Sequence, residues 1–370
     1  MNINVTFLRD TEHGGLADQP LKVADLLAGF INAAQVSLHI AIYDFRLDPN
    51  GALFALVVNA LKNRAQAGVE IKIAYDHGKA NASGAGVDPA ETGTQVFLTT
   101  TFQGTGVETK SITDRNPMHP DARLMHSKYI ICDAGTPHAS VLTGSTNFTD
   151  DSWSFEENTI LQIASLDLAK YYETDFQELW ASGDIESTGA NDFGTVKVDG
   201  ISIDVAFSPG EGDRIDQRVA QLIASAKQRI KISSMLISSH AILGALQNAI
   251  HNNQVSELAG IYDSTQMEQT IENWKSVPKN AVYIPMFQGI ATHLANKVSV
   301  PYTPTSKHNF MHVKVIVCDD NVFTGSYNLS HSATMNAENS LIIHDKQIAD
   351  QYSNYIDQLI GEYGRARGQS

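Results

Sequence analysis

Two stretches of this 370-residue chain carry the same reactive side chains in the same order. The first holds His126, Lys128 and Asp133, then Gly144-Ser145-Thr146-Asn147, then Glu157-Asn158. The second holds His312, Lys314 and Asp319, then Gly325-Ser326-Tyr327-Asn328, then Glu338-Asn339. In both, a Met precedes the His, the Asp lies five residues after the Lys, and the Glu lies ten after the Asn. Most internal repeats repeat core residues, whereas these repeat chemically active ones. Two histidines, two lysines and two amides suit an attack on a phosphodiester. One imidazole can attack phosphorus, the other can protonate the leaving oxygen, and the lysines and amides can hold the phosphate.

The pattern H-x-K-x4-D followed by G-S-x-N, intact in both halves, resembles the signature of the phospholipase D superfamily. The resemblance implies an α/β fold: two pseudo-twofold-related α/β sandwich lobes with one active site at their interface. It implies His126 as the nucleophile, forming a phosphohistidine. His312 is then the general acid that protonates the leaving alcohol and afterwards activates water or another alcohol. The pseudo-symmetry of the sequence alone allows either order. Lys128 and Lys314 would neutralise the phosphoryl oxygens, Asn147 and Asn328 would donate hydrogen bonds to them, and Ser145 and Ser326 would orient within the phosphate cradle. Glu157 and Glu338 are expected at the far nitrogen of each histidine, setting its tautomer and supporting imidazolium. The repeat alignment selects Glu157 over its neighbour Glu156. Asp133 and Asp319 end apolar strands and read as structural, in turn or inter-lobe hydrogen bonds. No metal or cofactor is expected, because the lysines supply positive charge. The thirteen histidines show no zinc-site spacing. His119, His138, His308 and His331 read as loop residues, with His308 nearest the entrance.

The elements that must position these groups repeat as well. Ile3-Asn4-Val5-Thr6-Phe7 resembles Ile203-Asp204-Val205-Ala206-Phe207, and Leu38-His39-Ile40 resembles Ile230-Lys231-Ile232. Ala74-Tyr75-Asp76 matches Ile261-Tyr262-Asp263, and Phe102-Gln103-Gly104 recurs as Phe287-Gln288-Gly289, reading as a turn or a substrate rim. Apolar spacing predicts a strand over 1–8, helices over 21–34, 51–68 and 168–179, and strands over 36–43, 69–75 and 129–133. The second half repeats this with helices over 216–226, 241–252 and 346–363 and a strand over 229–235. Alternating helix and strand argues for an α/β sandwich per lobe. The expected lobes are 1–180 and 201–370, with the polar stretch 181–200 as linker. Two long irregular segments, 79–124 and 288–309, read as rims of the site. So does the extra loop around Ala134 to Ala139.

The composition is globular, 42% apolar, with no apolar run approaching the ~18 residues of a membrane span. No secretory signal is visible at Met1 to Glu12, and a mature secreted form is compatible with that. Cys132 and Cys318 occupy equivalent apolar strands and read as separate buried thiols, which favours a reducing, cytoplasmic setting. The net charge of −15 does not supply a broad basic surface for nucleic acid. A phospholipid phosphodiester is therefore the first expected substrate, hydrolysed or transferred. A nuclease is the alternative; it would need a local basic groove, for which Arg123, Lys297 and Lys307 are too few, with Tyr302 or Phe310 stacking. A catalytically silent scaffold is disfavoured by the two intact motifs. A chain carrying both motifs completes its own site, so a monomer is expected.

Overall fold

The computed structural model describes residues 2–79, 93–115, 123–303 and 306–365. Chain order in the first lobe is β1 (Ile3–Leu8), α1 (Gln19–Asn32), β2 (Ser37–Ile42), β3 (Phe45–Arg46), α2 (Ala52–Gln66), β4 (Glu70–Lys79), α3 (Thr94–Phe102) and β5 (Val107–Asp114). It continues with β6 (Lys128–Cys132), β7 (Ser140–Gly144), β8 (Phe148–Thr149), α4 (Asp150–Ser154), β9 (Asn158–Ala164) and α5 (Leu166–Ser182). The second lobe has β10 (Gly194–Val198), β11 (Ile201–Ser208), α6 (Gly212–Ser225), β12 (Arg229–Ser234), α7 (His240–His251), β13 (Glu257–Asp263) and α8 (Ser264–Ser276). It closes with α9 (Tyr283–Ala291), β14 (Leu294–Lys297), β15 (Lys314–Cys318), β16 (Asn321–Gly325), β17 (Glu338–His344) and α10 (Lys346–Arg365).

The described residues form a seven-stranded sheet, β1-β9-β7-β6-β2-β4-β5, and an eight-stranded one, β10-β11-β17-β16-β15-β12-β13-β14. After the extra edge strand β10 the two orders correspond strand for strand. β10 lies inside the stretch read as a linker and pairs with β11 (Val196 opposite Ile203). The central strands β2, β6 and β15 are buried along their whole length, as expected of strands covered on both faces.

Helices cover both faces of each sheet. In α1, Pro20 presets the first turn, and Val23, Ala24, Leu27 and Ile31 recur at helical spacing on the buried face. Helix α5 begins at Ser165, whose side chain accepts the Leu168 N–H, and stops at left-handed Gly183. α5 and α10 lie between the sheets. Tyr172 and Phe176 of α5 and Tyr352 and Ile356 of α10 share one buried core with Leu161 of the first sheet and Leu341 of the second. Each such side chain contributes ~1.5–3 kcal/mol by burial, which fixes one lobe against the other.

Three readings change. The segment 79–124, read as irregular, contains α3 and β5, and 288–309 contains part of α9 and all of β14. Their Thr- and Ala-rich pieces carry weak periodicity, so packing selects the state. Residues 80–92 and 116–122, including His119, lie outside the described residues. The loop at Ala134 to Ala139 follows β6 at the end remote from His126, about 15 Å along the strand at ~3.3 Å per residue, so it does not rim the site. Among the described residues, no helix is long and apolar enough to cross a membrane.

Candidate active site

His126 and His312 each stand two residues before a central strand, β6 or β15. Their backbones are fastened the same way. Met125 N–H donates to Asp76 Oδ1 (2.8 Å), and Met311 N–H donates to Asp263 Oδ2 (3.0 Å). These aspartates belong to the recognised Tyr-Asp repeat, which carried no role in the sequence. His126 N–H also donates to Ala337 O of the other lobe (2.8 Å). The two imidazoles thereby meet across the interface, ring centroids 6.5 Å apart at 70°.

The partners of the histidines are crossed between lobes, and they are unequal. His126 Nδ1 lies 2.8 Å from Glu338 Oε2. His312 Nδ1 lies 3.0 Å from Asn158 Oδ1, with Glu156 Oε2 at 3.5 Å. Asn158 Nδ2 donates to Ser152 O (3.2 Å) and Glu156 Oε2 (3.1 Å), which orients its oxygen toward the imidazole. In the other lobe Asn336 Nδ2 donates to Glu338 Oε1 (3.3 Å). The carboxylate and amide have thus exchanged places: Glu338 with Asn336 serves His126, and Asn158 with Glu156 serves His312.

Glu157 is therefore not the counterpart of Glu338, contrary to the equal spacing from Asn147 and Asn328. Strand register decides it. Leu8 pairs with Asn158 where Ser208 pairs with Glu338. Side chains alternate across a strand, so Glu156 and Asn158 share one side and Glu157 points to the other. There Glu157 Oε2 accepts from Lys297 Nζ (2.7 Å), and its Oε1 accepts from the Tyr363 hydroxyl. Lys297 Nζ also reaches Asp10 Oδ2 (3.1 Å), closing a buried inter-lobe ion cluster.

Ser145 and Ser326 are likewise not in a phosphate cradle. Ser145 Oγ donates to Asn158 Oδ1 (2.7 Å) and Ser326 Oγ to Glu338 Oε2 (2.8 Å), so each hydroxyl steadies a histidine partner. Both serines are fully buried. The preceding glycines permit this. Gly144 has φ +147°, and a Cβ there would sit 2.1 Å from Thr159 O; Gly325 has φ +143° and would meet Asn339 O at 2.3 Å.

Asn147 and Asn328 do line the cavity, as do both histidines. The buried Oδ1 of each accepts no protein hydrogen bond among the described residues, which leaves an acceptor for a ligand's O–H or N–H. Trp153 Nε1–H holds Asn147 through its carbonyl (2.9 Å). Lys128 Nζ donates to His126 O (2.7 Å), and Lys314 Nζ donates to His312 O. Burial pushes the His126 imidazolium down to about 4, against the Glu338 carboxylate, which lifts it. Burial and the Lys314 and Lys128 ammoniums push His312 well below the ordinary histidine range. Lys128 falls to about 8 by burial, and Lys314 falls well below its usual range from burial and Lys128. Burial raises the Glu156 carboxyl. Burial and mutual repulsion disfavour the charged forms of these four basic groups, so an anion brought among them would be met by proton uptake.

Asp133 and Asp319 are structural within their own lobes rather than between them. Asp133 accepts the N–H groups of Gln35, Val36 and Ser37 (2.7–3.1 Å), and Asp319 those of Lys227, Gln228 and Arg229 (2.7–3.0 Å). His308, Tyr302, Phe310, Met235 and Leu236 also line the roughly 300 Å³ cavity. His331 lies in a 3-10 turn. Phe102 and Phe287 are buried core residues, and neither lines this cavity. Asn158 and Glu156 are the functional candidates that spacing alone did not select.

No curated protein matches the chain. A phosphatidylserine synthase from Haemophilus influenzae shares the fold with a TM-score of 0.65 at 11% identity, covering 97% of this chain and 86% of that one. A polyphosphate kinase from Porphyromonas gingivalis gives 0.57 at 12% identity, covering 96% of this chain and 50% of that one. The family model described as cardiolipin synthase, PLD-like domain, matches residues 27–180 and 219–360, one copy per lobe and well over half of the chain. With its duplicated lobes and paired motifs, the chain belongs to that family within the phospholipase D superfamily, whose members act on phosphodiesters.

Proposed function

We propose that this protein cleaves or transfers a phospholipid phosphodiester through a phosphohistidine on His126. The observation that carries the reading is the pair of facing imidazoles, each held at Nδ1 and with no partner at Nε2 among the described residues. A centroid separation of 6.5 Å accommodates one phosphorus with a reacting atom about 3–3.5 Å away on each side. In the first step His126 Nε2 forms the P–N bond, the P–O bond to the alcohol breaks, and His312, kept as the imidazolium by the bound phosphate anion, gives its Nε2 proton to the leaving oxygen. In the second step His312 takes the proton of water or of another alcohol, whose oxygen displaces His126. The full carboxylate of Glu338 favours His126 as nucleophile, because the ring becomes cationic when phosphorylated. Asn158 gives His312 a neutral partner, which suits a group that must give its proton away. Lys128, Lys314, Asn147 and Asn328 hold the phosphoryl oxygens.

Charge supports a lipid over a nucleic acid. Asp44 and Glu156 line the cavity, and Arg46 is bound to Asp44 (2.7 Å). Lys297 is buried in its ion cluster, and Lys307 pairs with Glu12 (2.8 Å). These cations are not available for a polyanionic backbone. The test is a chelator-treated assay offering phosphatidylcholine/phosphatidylglycerol vesicles and single-stranded DNA in parallel, with His312→Ala as control. Released head group, with acid-labile phosphate trapped on His126, is expected. Shortened DNA beside intact lipid would move the protein to the nuclease branch.

A further inference from the structure

A second, larger cavity of roughly 1040 Å³ adjoins the catalytic one. Leu236, Gln266, Gln269, Ser330 and Ser332 line both, so the two lie side by side. It lies in the second lobe, between the start of α7, the turn after α8, and the 3-10 turn at His331. The chain has 41 acidic and 26 basic residues, yet no Asp or Glu lines this groove among the described residues. Lys279, His240 and His331 do line it, and none has a carboxylate hydrogen-bond or ion-pair partner among the described residues. His240 stacks on Tyr283 (centroids 3.7 Å) and faces His331 at 5.5 Å. Besides burial, His331 and Lys279 hold His240 below its ordinary range, and His331 pulls against the burial that raises the nearby Asp216 carboxyl. The carboxylate behind them, Asp216, is buried and engaged by Ser239 (2.6 Å) and Tyr327 (3.0 Å). On α8, Lys275 is taken up by Glu272 (2.6 Å).

The repeat shows that this charge is particular to one lobe. Following Asn147, the first lobe has Asp150 and Asp151 where the second, following Asn328, has His331 and Ser332. His331 is three residues beyond Asn328, so their Cα atoms are at most about 11 Å apart. An anion at His331 would therefore be separated from the reacting phosphorus by a short alcohol. The groove also belongs to the lobe that supplies His312, the group assigned to the alcohol.

We infer that this groove binds the alcohol component of the reaction and selects alcohols that carry an anionic group of their own, a phosphate or a carboxylate. The inference rests on the phosphodiester reading above and names its alcohol class. The test is calorimetric titration of the full-length protein with glycerol 3-phosphate, glycerate and glycerol, repeated on Lys279→Gln and His331→Asp. Turnover of bis(p-nitrophenyl) phosphate, which has no anionic alcohol, is followed in parallel. The expected result is binding of one or both anions, with phosphate and carboxylate separated by their two arms, and none of glycerol. Each variant should weaken the anion about tenfold or more, the loss of one charge-assisted hydrogen bond. Turnover of the nitrophenyl ester should stay within about twofold, which also reports that the variants fold. Equal binding by wild type and variants, binding of glycerol as tight as the anions, or no binding of either anion would overturn the inference. Failure of the nitrophenyl ester to turn over would instead count against the phosphodiester reading, while the titrations would still test the groove.

Discussion

Changing Glu157 to glutamine distinguishes an inter-lobe ion lock from a histidine partner. The Glu157 side chain is fully buried, and so is Lys297, its partner at 2.7 Å. Removing one member of a buried pair costs about 3–5 kcal/mol. Glutamine keeps an oxygen for Lys297, and Asp10 remains at 3.1 Å, so the loss should fall near 2–3 kcal/mol. For domains of each lobe's size that lowers the unfolding midpoint by about 4–12 °C. Turnover of the folded enzyme at 25 °C should change by less than about twofold, since Glu157 touches neither histidine. Glu338→Gln should do the reverse. It replaces the carboxylate 2.8 Å from His126 with a neutral group of the same shape, so turnover should fall by about 10²–10⁴ with a smaller change in stability. Thermal unfolding followed by circular dichroism, with metal-free turnover of bis(p-nitrophenyl) phosphate, reads both effects. A hundredfold loss of turnover in Glu157→Gln with an unmoved midpoint would refute the register argument and restore Glu157 as a histidine partner.

Asn158→Asp places a carboxylate on His312 and holds its proton more tightly. The alkaline limb of the kcat–pH profile should move up by about one unit, and an unmoved limb would remove His312 as the acid or Asn158 as its partner. Binding of inorganic phosphate should take up protons, because the anion raises groups that burial has lowered. Lys128, at about 8, should alone contribute about half a proton at pH 8. Titrations in buffers of different ionisation enthalpy measure this, and zero uptake would contradict the crowded-cation site. Because one chain supplies both motifs, sedimentation in dilute solution should give the mass of one chain, and a dimer mass would count against a self-contained site.

The paired His-Lys-Asp and Gly-Ser-x-Asn motifs, the twofold repeat and the alternation of helix and strand were legible in the sequence alone. Their signals are local: side-chain type, short spacing, apolar runs in central strands, and a collinear second copy against which to check each one. The motif aspartates were readable as structural for the same reason, since each ends an apolar strand. Strand β14 was not, because four residues, Leu294 to Lys297, are too short to show an alternation until β13 pairs with them. Which carboxyl meets which histidine was beyond the sequence. Glu338 lies 212 residues from His126, and Asn158 lies 154 from His312, each contact crossing the lobe interface. The equal ten-residue spacing to Glu157 and Glu338 hides a one-residue shift before β9. In a strand such a shift turns a side chain to the opposite face. Only the pairing of β9 with β1 and β7 decided that Glu157 locks the lobes while Asn158 and Glu156 face His312.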